Sequence, residues 1–170
     1  MPLSWTAIQA LHEPDLDRHW LRCRDELGLD CPVEVFEELF FEHHGDEEFG
    51  TLYRAVDWAA VAWTETELSG VALRRVAVDG YYQHAVDEAR TRTLAHGLVD
   101  ERDAIVAHWA DQKTWLRPPI LVSGEVAGSG LLYEMLVGFT RLGNLLGLLD
   151  RQEVGEGAKH RVWLGVLASP

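Results

Sequence analysis

Two stretches decide the fold: Pro118-Pro119-Ile120-Leu121-Val122, and Tyr133-Glu134-Met135-Leu136-Val137-Gly138-Phe139-Thr140-Arg141-Leu142. An apolar run after a proline pair reads as a buried strand, and Leu131 to Val137 reads as a second one. Gly124 to Gly130 between them is a glycine-bearing loop. Gly138 opens a tight turn, and Thr140 stands where a helix N-cap belongs. From Arg141 to about Leu149 the spacing predicts a helix. Leu142, Leu145, Leu146 and Leu149 make its core face, while Gly143 and Gly147 permit close backbone approach. Residues 151–160 form a polar loop, and Arg161 to Val166 reads as the last strand.

Upstream, Leu73 to Val78 reads as a short strand with Asp79-Gly80 as its turn. Two helices follow. One runs from about Tyr81 to Leu94 and stops near Gly97. The other starts at Asp100 and carries Ile105, Val106 and Trp109. Val61 to Thr64 reads as an edge strand. The first seventy residues read as helices, with Ser4 and Asp15 as caps, an apolar stripe at Val35, Phe36, Leu39 and Phe40, and a last stretch over Phe49 to Val56. The expected fold is α+β. An acidic helical lobe over residues 1–70 precedes a small mixed sheet with helices over residues 71–170.

Charge divides the chain the same way. Residues 1–70 hold 16 Asp/Glu and 4 Lys/Arg, and residues 71–170 hold 12 and 11, within a net charge of −13. Phosphate backbones repel the first half, so direct nucleic-acid binding is not expected. The acid instead keeps the chain in solution or steers it toward a basic partner. No run approaches the roughly 20 apolar residues of a membrane span. Met1 to Trp5 lacks a basic region followed by an apolar one, so a cytoplasmic location is expected. Cys23 and Cys31 match no metal or redox spacing and read as ordinary thiols.

The chemistry sits at Gly138-Phe139-Thr140-Arg141. A glycine turn that leads from a buried strand into a helix presents unpaired backbone N–H groups and the positive end of the helix dipole. Thr140 adds a hydroxyl, and Arg141 a planar fork of donors suited to phosphate. The alternative for Arg141 is structural, as a partner of Glu134 or Asp150.

In element order, in Pro119 to Val122, in Tyr133 to Gly138 and in Arg141-Leu142, residues 71–168 resemble the ParB/sulfiredoxin-like family. The resemblance implies that Gly138, Thr140 and Arg141 hold a nucleotide, with Mg²⁺, or another phosphorylated ligand. It also implies that Lys113 and Arg117, on the segment before the Pro-Pro strand, lie near that cradle. Activities in the family include CTP binding, ATP-dependent reduction of sulfinic acids and phosphorylation of free serine. Of the family turns, only Gly138 and Arg141 carry over. Phe139 stands where sulfiredoxins have their reactive cysteine and chromosome-partitioning members an acid, and Thr140 where they have histidine or arginine. Sulfiredoxin chemistry is therefore not expected, and phosphotransfer is the reaction class implied.

A second function fits the acidic half: an immunity protein or antitoxin without catalysis, which neutralises a basic toxin through Glu34, Glu37, Glu38, Glu42, Asp46, Glu47 and Glu48. His43-His44 beside those carboxylates suggests a metal, but adjacent histidines point apart, and no metal site is expected.

Overall fold

The computed structural model describes residues 2–98 and 102–168. It is an α+β fold with one four-stranded mixed sheet in the order β1-β4-β2-β3. The strands are β1 (Val61–Ser69), β2 (Ile120–Ser123), β3 (Tyr133–Val137) and β4 (Lys159–Leu167). The helices are α1 (Trp5–Gln9), α2 (Leu16–Leu27), α3 (Val33–Val35), α4 (Glu47–Leu52), α5 (Gly70–Leu73), α6 (Gly80–His96), α7 (Asp103–Gln112), α8 (Gly124–Ala127) and α9 (Phe139–Asp150). The chain divides into two compact units. One comprises residues 1–64, 122–131 and 164–170, and the other residues 65–121 and 132–163.

In the first unit the local signals act as expected. The Ser4 hydroxyl accepts from the Ala7 amide at 3.2 Å, and the Asp15 carboxylate from that of Arg18 at 2.9 Å. Gly28 closes α2 at φ 71°. Trp5 anchors an aromatic core, its ring 4.6 Å from Phe49 and 5.6 Å from Phe40. The predicted third helix is a single α-turn that widens into a π-helical turn over Phe36–Phe41. The Glu42 amide accordingly donates five residues back, to the Glu37 carbonyl at 2.9 Å.

In the second unit, the strand expected over Leu73 to Val78 is replaced by α5 and a coil, with only Ala77 bridging Glu134 in parallel. The reason is twofold. Ser69 caps a helical turn through the Ala72 amide at 3.3 Å. Arg74 is drawn aside to Asp150 and Glu156, both at 2.9 Å. Asp79 caps α6, its carboxylate accepting from the Tyr81 amide at 2.8 Å. The glycine loop contains α8. The start expected at Asp100 lies outside the described residues, among which α7 runs from Asp103.

Helix α9 packs on α6 through its glycines. A Cβ on Gly143 would meet the Val86 carbonyl oxygen at 2.4 Å, and one on Gly147 the Thr93 Cβ at 2.7 Å. Both cysteines are buried, and burial raises their pKa, to about 11 for Cys23, so neither thiol is reactive at neutral pH.

Three histidines are held neutral. Burial lowers the pKa of His19, and that of His160 to about 4. Burial and the neighbouring His44 lower that of His12, whose ring stacks on His44 at 3.4 Å.

Two outcomes are expected. Gly143→Ala destabilises the fold by about 1–3 kcal/mol in denaturant unfolding, whereas Gly80→Ala, where a Cβ meets nothing within 4 Å, changes it by less than about 0.5 kcal/mol. The lowered histidine values mean that the unfolded chain binds more protons below pH 6.5. Stability is therefore full well above that pH and falls as pH drops toward 4, with His160 among the groups that must take up a proton. Thermal melts between pH 7.5 and 4.5 check the sign.

Candidate functional site

The turn between β3 and α9 is built around one backbone conformation. Gly138 sits at φ 101°, a left-handed value that L side chains resist, and a Cβ there would lie 2.6 Å from the Cβ of Pro119. The structure thus makes Gly138 the N-cap, where the sequence pointed to Thr140. No side chain caps the helix at Gly138. The first helical bond runs from the Leu142 amide to the Gly138 carbonyl at 2.9 Å, so the amides of Phe139, Thr140 and Arg141 precede the intrahelical ladder. Phe139 stacks on Tyr82 of α6, ring centroids 4.4 Å apart and planes within 7°, which pins the turn.

The helix start opens on a cavity of about 670 Å³ within the second unit. Gly138, Thr140, Arg141 and Arg117 all line it, so four of the five expected cradle residues come together. Thr140 and Arg117 are exposed, and Arg141 is half-buried. The Arg141 Nη1 donates to the carbonyls of Arg117 and Pro118, each at 3.1 Å. The guanidinium therefore ties the start of α9 to the segment before β2. Asp150, one of the two alternative partners weighed for it beside Glu134, is held instead by Arg90 at 2.7 Å and Arg74 at 2.9 Å.

Lys113 does not join the cavity. It terminates α7 in a left-handed conformation, φ 56°, its amide donating to the Trp109 carbonyl at 3.0 Å. It lines a separate hollow of about 240 Å³ with Val106 and Glu153.

The cavity also gathers residues the sequence did not single out. Arg102 adds a third guanidinium, and Trp109, Trp115, Ile105 and Leu116 supply apolar walls. Asn144, one turn into α9, is the polar exception on a face otherwise made of leucine, and that exception was the signal available. Behind the wall, His160 packs 5.2 Å from Trp115, and its Nδ1 meets the Thr114 hydroxyl at 3.0 Å. Burial keeps it uncharged, so the positive character of the cavity comes from arginine and the helix start.

The acidic residues of the first unit are not one face. Glu34, Glu42, Glu47 and Glu48 are exposed. Glu38 is buried, at 5% exposure, because the π-turn rotates it inward beside Leu39 and Phe40. It cannot belong to a contact surface. Glu37 is half-buried, and Asp46 caps α4 through the Phe49 amide at 2.9 Å.

No protein-family model, curated protein or solved structure matches this chain. The ParB/sulfiredoxin-like resemblance therefore rests on the residues quoted for it.

Gly138→Ala is expected to lower stability by about 2 kcal/mol or more, from a forbidden φ and the clash with Pro119. Thr140→Ala, on an exposed first-turn position, is expected to stay within about 0.5 kcal/mol. Chemical denaturation of the pair separates the backbone requirement from the hydroxyl.

Proposed function

We propose that this chain is a stand-alone ParB/sulfiredoxin-like protein that binds a nucleotide or another phosphorylated small molecule at the cradle of Gly138, Thr140 and Arg141, with Arg117 and Arg102 beside them. The observation that carries the reading is the convergence of an uncapped 12-residue helix start and three guanidinium groups on one cavity of about 670 Å³. Small-molecule sites commonly span roughly 300–1,000 Å³ and combine apolar walls with a few directed polar groups. Main-chain amides at a helix start and arginine forks are both matched to phosphate oxygens.

Among the described residues that line the cavity there is no carboxylate and no imidazole. In this reading the charge of the phosphate is met by arginine and by oriented amides. Holding such a ligand is therefore better supported than activating a nucleophile against it, and phosphotransfer would depend on positioning and charge stabilisation.

A thermal-shift screen of nucleotides and inorganic phosphate tests the reading. At least one nucleotide should raise the melting temperature, since ligand at a hundred times its Kd adds about 2.7 kcal/mol to stability. The shift should shrink in Arg117→Ala, and on going from low to about 0.5 M salt as screening sets in. A melting temperature that no phosphorylated compound moves would retire the proposal.

A further inference from the structure

One polar group at the cavity carries donors that its structural contact does not use. Asn144 is 4% exposed and sits among leucines on α9. The buried Thr93 hydroxyl of α6 meets its Oδ1 at 2.9 Å. That bond orients the carboxamide, with its oxygen toward α6 and its nitrogen on the opposite side. The Nδ2 donors have no hydrogen-bond partner among the described residues, and the residue lines the cavity. The Nδ2 is not one of the fully buried polar atoms that lack a partner, so solvent in the cavity reaches it. An acceptor on a ligand in the cavity can take the place of that solvent.

The position along the helix says what kind of partner. Asn144 follows Thr140 by four residues, so it lies on the same face and about 6 Å deeper along the axis. A ligand with its anionic group at the first turn would bring its uncharged body to this depth, between the walls of Trp109, Trp115 and Leu116. We propose that Asn144 is the specificity-determining residue of this cavity. Its Nδ2, aimed by Thr93, donates to an oxygen or ring-nitrogen acceptor on the body of a phosphorylated ligand of nucleoside-monophosphate size. This rests on the reading of the cavity as a phosphate-ligand site and adds to it the part of the ligand that is read.

Isothermal titration of the full chain with inorganic phosphate and with the four ribonucleoside 5′-monophosphates tests it. The expected result is that at least one monophosphate binds the native chain more tightly than phosphate does. Asn144→Ala then weakens that monophosphate about tenfold, the scale of one hydrogen bond to a buried site, and leaves phosphate unchanged. Thr93→Val, which frees the carboxamide to rotate, produces a smaller loss of the same selective kind. As Asn144 is buried, a readout that needs no variant to fold is added. The Asn144 side-chain amide signal in nitrogen–proton correlation spectra of the native chain should shift with the monophosphate and not with phosphate.

Monophosphate affinity unchanged in Asn144→Ala, or an unmoved amide signal on saturation, overturns the assignment of Asn144 and leaves the phosphate site standing. Equal losses for phosphate and monophosphate overturn it too, as the mark of a structural role. A native chain that binds none of the five compounds overturns the phosphate site, and this inference with it.

Discussion

Helix α9 meets helix α6 without side chains between them at Gly143 and Gly147, and that backbone-to-backbone approach sets the position of everything at the cavity. The two helices are fastened along their shared length by contacts of different kinds. Phe139 stacks on Tyr82 at one end. Asn144 meets Thr93 in the middle. Asp150 takes Arg90 at the other end, where Arg151 also donates to the Leu94 carbonyl at 3.0 Å. Any side chain at the glycines would push the helices apart, because a packed interior has no room to absorb a methyl group against a carbonyl. The N-terminus of α9 would then move relative to the segment before β2, and the Arg141 bonds to Arg117 and Pro118 would stretch.

The same rigidity bears on binding. For the ligand proposed, main-chain amides held at a fixed helix start would need no reorganisation, and they carry no side-chain entropy to lose. Arg117 and Arg102 are exposed, so in the proposed reading their attraction for the ligand would be screened by salt and act mainly on encounter. Arg141 stands between these cases. By bonding two carbonyls it both supports the turn and brings positive charge to the cavity. The neutral wall of Trp109 and Trp115, backed by His160, leaves that charge local to the helix start.

Features governed by a few neighbouring residues were readable from the chain. Ser4 and Asp15 cap because their side chains reach amides three residues on. Gly138 turns because a β-carbon there is excluded. The strands around Ile120 to Val122 and Met135 to Val137 follow from buried apolar runs. Leu73 to Val78 misled because its short apolar run suits a strand, while the capping Ser69 and the carboxylates of Asp150 and Glu156, far along the chain, drew it into a helical turn and coil. Glu38 misled likewise, since nothing local announces the widened turn that buries it.

By itself the sequence determined the α+β class, the uneven charge, the caps at Ser4 and Asp15 and the strand–glycine–helix turn, since the local features depend on backbone dihedral limits and on hydrogen bonds within a few residues. The tertiary structure decided the rest. It brought Arg102 and Arg117 to the turn, kept Lys113 away, turned Glu38 inward and faced Asn144 toward the cavity. Those outcomes depend on which distant surfaces pack together, and close packing is a property of the whole assembled interior that no single segment carries.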